Sequence, residues 1–243
     1  MQLDALLRTA VLRSPYASCS VLTPNQDDAY RQVYEDHTEI GWFNETTRGF
    51  EKLTREWIAL CAEAGHRVCF HSDDEIWYGG VPPALCESDE IIMFRQGRNT
   101  TFCHPLNCEQ EIPPDFPRWR WREAKHDFGY PLSLNATVYH ATDLLPLLNF
   151  PFSDPNQLEA GLACQARDFP REWCVAPEQS ATVSLPHNVT SKSSNNPRGG
   201  NPEWQAEALT LQYLKGWRID TDAMDFSNIT AAHQEVPLVF YRV

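Results

Sequence analysis

Three consecutive carboxylates, Asp73, Asp74 and Glu75, follow a short apolar segment, residues 67–71, that favours a β-strand. In an open α/β sheet, ligands bind beyond the carboxyl ends of the strands. Clustered carboxylates there repel one another unless a cation lies between them. A divalent ion such as Mg²⁺ fits this need, because it binds one or two protein carboxylates and leaves its other positions to substrate phosphates and water. The alternative interpretation is a turn and helix cap with solvated acids.

The segment before these acids has the pattern of an amphipathic helix. Over residues 50–64 apolar side chains recur at spacings of three and four, and Glu51 pairs with Arg55 on the outer face. Gly65 is placed to end this helix. Further helical and strand patterns alternate ahead of it, which predicts a parallel-sheet α/β half in residues 1–75. Those earlier patterns are helices over 2–11 and 29–34 and strands over 17–23 and 39–44.

The composition excludes several classes of partner. The chain has 243 residues, enough for one substantial domain, and its 33 Asp and Glu against 20 Lys and Arg give a net charge of −13. Such a charge opposes binding to nucleic acid or anionic lipid. No window of the sequence has the length and apolarity of a membrane span, and the N-terminus lacks the apolar core of a signal peptide. We therefore expect a soluble, cytoplasmic protein with no transmembrane segment and no nucleic-acid partner.

The cysteines do not predict a disulfide framework. Eight of them are spread along the chain, too thinly for a disulfide-stapled small fold, and several lie within apolar patterns that are typical of core residues. Cys103, His104 and Cys108, with Cys69 and His71, are conceivable zinc ligands. A paired C-x-x-C motif would support zinc, and the sequence has none among these residues. A zinc site is therefore not expected.

The second half of the chain is less regular. Residues 118–122, Arg-Trp-Arg-Trp-Arg, alternate with period two and predict a half-buried strand with a solvated basic face. A sugar platform or a set of phosphate contacts is the functional alternative. Helices are predicted over residues 141–148, 155–167 and 203–215, after a strand over 91–95.

Residues 191–202, SKSSNNPRGGNP, are polar and rich in glycine and proline. They are predicted to form a mobile loop beside the binding cleft. Lys192 and Arg198 in this loop are candidates to meet the charge of a diphosphate, and closure of the loop over a bound donor would exclude water.

The succession of segments along the chain resembles bacterial family-2-like glycosyltransferases with the GT-A fold. The resemblance covers nearly the whole chain and depends on the order of short motifs. After the acids these are IIMFRQG, HDFGYPLSLNATVYHATDLLPLL, FSDPNQLEAGL, HNVTSK, EALTLQYLKGWRID and AAHQEVPLVFY. It implies an α/β, Rossmann-like, GT-A-like three-layer sandwich with a mainly parallel central sheet. One domain, 1–243, would contain a nucleotide-binding half, 1–90, and a smaller acceptor-binding half, 91–243.

The resemblance also implies roles for individual residues. Asp73, Asp74 and Glu75 take the place of the D-x-D metal motif, in either of two registers, and His233 takes the place of a late histidine that reaches the metal or the diphosphate. Together these four are the candidate metal ligands. Their metal would be Mn²⁺ or Mg²⁺.

The catalytic candidates are Glu159 and Asp127. Glu159 takes the place of the general base, and a carboxylate in a partly desolvated cleft can accept the proton of an attacking hydroxyl. Its alternative role is that of a first-turn acid stabilised by the helix dipole. The candidate contacts of the nucleotide donor are Asp73, Asp74, Arg95, Lys192 and Arg198.

The implied function is transfer of a sugar from a nucleotide-diphosphate donor to a hydroxyl of a glycan or another acceptor. Relatives begin with a strand of the type VSVIIPT-x-x-RP, whereas this chain begins inside the following helix. We therefore expect either further residues upstream or a loss of donor binding. Two other functions remain open: a catalytically silent relative that binds glycans or partners, and a phosphoesterase in which a metal activates water.

Overall fold

A computed structural model describes residues 1–15, 18–23, 28–187 and 201–243. Its α-helices are α1 Gln2–Arg13, α2 Asp28–Asp36, α3 Glu45–Arg48, α4 Phe50–Glu63, α5 Pro83–Cys86, α6 Ala141–Leu144, α7 Pro155–Cys164 and α8 Ala206–Leu214. Short 3-10 helices span Trp121–Glu123, His126–Gly129, Leu145–Leu147, Ala166–Asp168 and Pro202–Trp204. The strands are β1 Ser20–Thr23, β2 Gly41–Asn44, β3 Arg67–Phe70, β4 Glu75–Trp77, β5 Ile91–Met93, β6 Phe102–Cys103, β7 Cys108–Glu109, β8 Arg118–Arg120, β9 Thr137–His140, β10 Trp173–Val175, β11 Thr182–Ser184, β12 Trp217–Ile219 and β13 Phe240–Arg242.

The central sheet has five strands in the order β3-β9-β5-β10-β8. Within it β5 and β10 are parallel, while the other three pairs are antiparallel. The prediction of a mainly parallel sheet is therefore wrong. The reason is β9, which lies between β3 and β5 and runs antiparallel to both. The chain is a mixed α/β protein.

The strands of residues 1–75 do not share one sheet, so the predicted parallel-sheet half is also wrong. β1 and β2 pair in parallel with each other, in register Ser20 with Gly41, and form a separate two-stranded sheet. β3 instead joins the central sheet. β4 pairs with β11, with Glu75 opposite Ser184. This pairing places the end of the acidic segment against the chain around residue 184.

The helix before the acids is close to the prediction. α4 buries Leu53, Thr54 and Ile58 against the core. Gly65 follows its C-cap with a φ of 68°, a left-handed conformation that glycine adopts without the steric penalty of a side chain. The adjoining core lies against one face of the central sheet and includes Trp119, Phe128, Tyr139, Leu144, Leu158 and Phe169.

The alternating Arg-Trp segment has its predicted buried and exposed sides, but its strand ends at Arg120 and a 3-10 helix begins at Trp121. Trp119 and Trp121 are 2% and 7% exposed, whereas the arginines around them are exposed. The indole Nε1 of Trp119 donates a hydrogen bond to the carbonyl oxygen of Phe128 at 2.9 Å. Arg118 lies over the ring of Trp173, with its Cζ 3.6 Å from the ring centroid. The tryptophans are therefore core residues and give no open sugar platform.

The three later helices are all present but shorter than predicted, and α8 begins at Ala206, after the 3-10 helix Pro202–Trp204. α6 and α7 are shorter than predicted because each passes into a 3-10 helix, at Leu145–Leu147 and Ala166–Asp168. The predicted loop over 191–202, with Lys192 and Arg198, lies almost wholly outside the described residues. Within the described ranges, no helix has both the length and the apolar character needed to cross a bilayer.

Candidate active site

The acidic residues 73–75 occupy the short connection from β3 to β4. The backbone N–H of Glu75 donates to the carbonyl oxygen of Ser72 at 3.2 Å, which closes the turn. The hydroxyl of Ser72 donates to Oδ1 of Asp74 at 2.5 Å. The carbonyl oxygen of Asp74 accepts the backbone N–H of Leu185 at 2.8 Å, so the turn is tied to the end of β11.

The charged form of Asp74 is disfavoured in this turn. Burial, followed by the negative charges of Asp73 and Glu75, raises the pKa of Asp74 to about 7, although the hydrogen bond from Ser72 opposes the shift. Such a carboxyl group is half protonated near neutral pH. A divalent cation beside it would favour the charged form.

Glu75 is bonded to protein groups on both of its oxygens. It is 1% exposed, Oε2 lies in a short hydrogen bond with Nδ1 of His71, and Oε1 accepts the hydroxyl of Ser184 at 3.4 Å. On its other side, Nε2 of His71 is 3.6 Å from Sγ of Cys69. Burial opposes protonation of this imidazole, but Cys69 and Glu75 outweigh it and raise the pKa of His71 well above its usual value. Glu75 is therefore the partner of His71 rather than an open metal ligand.

The catalytic candidate Glu159 faces the same region from α7. Its Oε1 accepts the backbone N–H of Leu134 at 3.2 Å. Burial raises the pKa of Glu159, and the charge of Glu75 adds to this, while Arg95 and the bond from Leu134 oppose it. The capping residue of α7 is Asp154, and its first turn contains no acid. The alternative role of Glu159 as a first-turn acid is therefore wrong.

Arg95, which follows β5, is the cation of this region. It is 2% exposed, and its Nη2 donates to the carbonyl oxygens of Tyr130 at 3.0 Å and Asp127 at 3.4 Å. Its Nη1 is 3.7 Å from Oδ1 of Asp127. Asp127 is thus held against Arg95, and Arg95 in turn is close enough to Glu159 to oppose the rise of its pKa.

His233 approaches from the C-terminal segment. It forms a parallel β-bridge with Ser184, and its ring centroid is 6.5 Å from that of His104. Burial, followed by the positive charges of Arg95 and His104, lowers the pKa of His233 to about 3. Within the described part of the chain its Nδ1 is buried and has no hydrogen-bond partner. His233 is therefore a neutral imidazole.

Ser184 and Asn135 connect the acidic turn to the segment of His233. Neither of them was predicted as a site residue from the sequence. The side-chain amide of Asn135 donates to the hydroxyl of Ser72 at 3.1 Å and to that of Ser184 at 2.9 Å. Ser184 also contacts Glu75 and bridges to His233. The available signal was polarity within the apolar runs around residues 135 and 184. We call the ten residues Ser72, Asp73, Asp74, Glu75, Arg95, Asp127, Asn135, Glu159, Ser184 and His233 the polar centre.

The polar centre does not gather the predicted metal ligands into one set. Among residues 1–15, 18–23, 28–187 and 201–243, no three His, Cys, Asp or Glu side chains stand together as ligands for one ion. Asp73 and Asp74 remain as a pair of hard oxygen donors. Two carboxylates meet the usual protein share of a Mg²⁺ site, in which phosphates and water supply the other ligands.

A cavity of about 570 Å³ lies away from the polar centre. It is lined by α5, by Glu90 and Arg118, and by residues 175–178 at the end of β10 and directly after it. None of the described candidate catalytic residues lines it. Its position therefore adds nothing to the assignment of the site.

Comparisons with known proteins leave the family open. No protein-family model matches the sequence. No curated protein matches it either. Among solved structures, the crystal structure of 4-diphosphocytidyl-2C-methyl-D-erythritol synthase is similar at a TM-score of 0.45 and 11% identity, over 88% of this chain and 90% of that chain. At that score the likeness does not establish a shared fold.

Proposed function

We propose that this protein transfers a sugar from a nucleotide-diphosphate donor to a hydroxyl group of an acceptor. The observation that carries the proposal is the position of Glu159. Its carboxylate, with a raised pKa, faces the same polar centre as the acids of the β3–β4 turn. This places a proton acceptor within electrostatic reach of the acids proposed to hold the metal and diphosphate, and transfer of a group to a hydroxyl requires such an acceptor.

In this proposal Asp73 and Asp74 hold a Mg²⁺ or Mn²⁺ ion, and Glu75 does not. Burial, and after it repulsion by Asp73 and Glu75, raises the pKa of Asp74 to about 7, and a cation bound beside these carboxylates would favour the charged form. The ion would supply charge neutralisation for the donor diphosphate as it leaves. Glu75 instead orients His71 and, through Ser184, fixes the turn that carries the two aspartates.

Glu159 accepts the proton of the acceptor hydroxyl as that oxygen attacks the donor sugar. A base works best when its pKa lies near the working pH, and burial moves Glu159 in that direction. The bond from the Leu134 N–H holds one carboxylate oxygen in place.

Arg95 is the fixed cation of the centre in this proposal, and Asp127 positions it. Because Arg95 is almost fully buried and its Nη2 is shared by two carbonyl oxygens, its location is set by the fold. Its charge opposes the rise that burial causes in the pKa of Glu159, and it adds to the fall that burial causes in the pKa of His233. A neutral imidazole donates or accepts a hydrogen bond without adding charge to the donor site.

A thermal-shift titration tests the proposal. UDP and GDP, each with and without Mn²⁺, are added to the wild-type protein and to the Asp73→Asn/Asp74→Asn variant. We expect stabilisation of the wild type by nucleotide plus Mn²⁺ together, roughly 2.7 kcal/mol at a hundredfold excess over the dissociation constant. The variant should lose that response. A wild type that responds to neither nucleotide with metal would contradict the proposed donor class.

A further inference from the structure

A pair of cysteines outside the polar centre faces each other across the short hairpin of β6 and β7. Cys103 and Cys108 are direct partners in this antiparallel pair. Residues directly opposite on antiparallel strands project from the same face, with their Cα atoms about 4.5–5.5 Å apart. Disulfides span Cα separations of about 4.4–6.8 Å. The backbone therefore already holds the two cysteines at a bonding separation.

The hairpin is fixed on both sides, so the pair is held together. The N–H of Asn107 donates to the carbonyl oxygen of His104 at 3.1 Å within the turn. The N–H of Phe102 donates to the carbonyl oxygen of Thr230 at 3.0 Å, and that of Gln110 donates to Thr101 at 2.7 Å. A disulfide between Cys103 and Cys108 can therefore form without separation of the two strands and without unfolding.

The two thiols have different surroundings. Cys103 is 2% exposed and faces Asp127, and burial, followed by the charge of Asp127, raises the pKa of Cys103 to about 11. Cys108 is half-buried, and its Sγ is 3.8 Å from Nδ1 of His126. Cys108 thus has both access to solvent and a base that can take its proton, whereas Cys103 is held as a protonated thiol.

We propose that Cys103 and Cys108 are a redox-active dithiol that closes to a disulfide on reaction with a small-molecule disulfide. Cys108 passes its proton to His126 and attacks one sulfur of R–S–S–R, so that a mixed disulfide forms and R–S⁻ leaves. Cys103 then attacks the sulfur of Cys108, and the second R–S⁻ leaves. The departing thiolates take up the two thiol protons, one from His126 and one from Cys103. Two protein thiols lose two electrons, and R–S–S–R is reduced to two R–SH.

Closure reaches the polar centre through one contact. Asp127, which the Cys103 thiol faces, also lies 3.7 Å from the guanidinium of Arg95. Formation of the disulfide removes the thiol proton from beside this carboxylate. Oxidation of the dithiol would therefore change the surroundings of the buried Arg95–Asp127 ion pair. This holds whatever reaction the ion pair serves.

Peptide mapping after glutathione equilibration tests the proposal. Trypsin releases residues 99–118 as one peptide, between Arg98 and Arg118, and this peptide contains Cys103 and Cys108 and no other cysteine. The full chain is equilibrated at a series of oxidised-to-reduced glutathione ratios, acid-quenched, alkylated and digested. The disulfide form resists alkylation and is two hydrogen atoms lighter than the dithiol peptide. The same series in guanidinium chloride measures the unfolded chain.

We expect the folded protein to be half oxidised at a glutathione ratio at least tenfold more reducing than the unfolded chain requires. Equal midpoints, or a folded protein that is harder to oxidise, would overturn the proposal. The single variants test the order of attack. Cys103→Ser should accumulate a glutathione adduct on Cys108, and Cys108→Ser should leave Cys103 unmodified. Modification of Cys103 in Cys108→Ser at the rate seen for Cys108 would also overturn it.

Two further variants separate the local chemistry from general thiol reactivity. His126 has a φ of 55°, a region that asparagine also adopts, so His126→Asn removes the base and keeps the backbone. We expect adduct formation at Cys108 to slow several-fold in this variant. Cys164→Ser removes an exposed thiol elsewhere and should leave both the midpoint and the rate for peptide 99–118 unchanged. An unchanged rate in His126→Asn would contradict the assigned base.

Discussion

The side chain of Glu159 in α7 accepts the backbone N–H of Leu134, which lies in the segment before β9, at 3.2 Å. This contact joins the helix to the loop that also carries Asn135, and Asn135 bonds to Ser72 in the acidic turn. The proposed base and the proposed metal turn are thus connected by two hydrogen bonds and one peptide link. A displacement of either is expected to affect the other.

Replacement of Glu159 by glutamine tests the base. Glutamine keeps an oxygen that can accept the Leu134 N–H, so the fold should be retained. Loss of a general base lowers turnover by roughly a hundred- to ten-thousandfold. We expect kcat of Glu159→Gln to fall in that range, with donor affinity unchanged, in a sugar-transfer assay that follows nucleotide release.

The matched control for this substitution is Asp154→Ala. Asp154 caps α7 by accepting the N–H of Gln157 at 2.9 Å, and its loss should cost about 1 kcal/mol of stability. Turnover should remain near that of the wild type. If Glu159→Gln retains turnover while Asp154→Ala loses it, the helix position matters and the Glu159 carboxylate does not.

The pH dependence of stability reports on Asp74. Its pKa is raised in the folded state to about 7, so the stability that the protonated group contributes is present below its ordinary value of 3.8 and is lost as the pH rises through 7. We expect Asp74→Asn to be more stable than the wild type by about 2–4 kcal/mol at pH 8 in the presence of a chelator. The difference between the two proteins should shrink towards pH 4.

The free energy of unfolding of Asp74→Asn is compared with that of the wild type at each pH, because other groups also titrate in both proteins. The lowered pKa of His233 has the opposite sign, since its contribution is present above its ordinary value of 6.5 and is lost as the pH falls. Urea denaturation at pH 4, 6 and 8 measures the difference directly. A constant difference across that range would show that Asp74 is already ionised throughout.

Bound metal should reverse the stability difference between Asp74→Asn and the wild type at pH 8. A cation bound between Asp73 and Asp74 favours their charged forms, so Mn²⁺ with UDP or GDP should stabilise the wild type at pH 8 and leave Asp73→Asn/Asp74→Asn unaffected. Glu75→Gln is the control for the neighbouring acid. It should weaken the contact with His71 but retain a metal-dependent shift, because both aspartates remain. Loss of the shift in Glu75→Gln, measured in a protein that still melts cooperatively, would return Glu75 to the metal site.

Local features were predictable from the sequence. The helix over 50–64 follows from the spacing of its apolar residues and from Gly65, and α4 ends within one residue of the prediction. The burial of Trp119 between exposed arginines follows from the alternation of side chains along a strand. In each case the deciding interactions join residues that are close in sequence, so the pattern contains the information.

Strand direction and long-range contacts were not predictable in the same way. β9 has four residues and β5 has three, and such short strands contain no local signal for parallel or antiparallel pairing. The contact of Arg95 with Asp127 joins residues 32 positions apart, and that of Ser184 with Glu75 joins residues 109 positions apart. These positions are set by tertiary packing, so the acids could be noticed in the sequence while their partners could not.

The ion pair of Arg95 and Asp127 should contribute to stability as a coupled unit. Both residues are nearly fully buried, at 2% and 5% exposed. Removal of one partner from a buried pair leaves an uncompensated charge, at a cost of about 3–5 kcal/mol. We expect Arg95→Met and Asp127→Asn each to destabilise the fold, and the double variant to lose less than the sum by about 0.5–3 kcal/mol. Urea denaturation of the four proteins measures this coupling.

Arg95→Met should also shift the pKa of the proposed base, Glu159. Arg95 opposes the rise of the Glu159 pKa and adds to the fall of the His233 pKa, so its loss should raise both pKa values. In Arg95→Met the acidic limb of the pH–kcat profile should therefore shift to higher pH, since Glu159 must be ionised to accept a proton. NMR titration of His233 in the same variant gives an independent reading in the absence of turnover. A His233 pKa that stays at its wild-type value would place Arg95 too far away to control the centre.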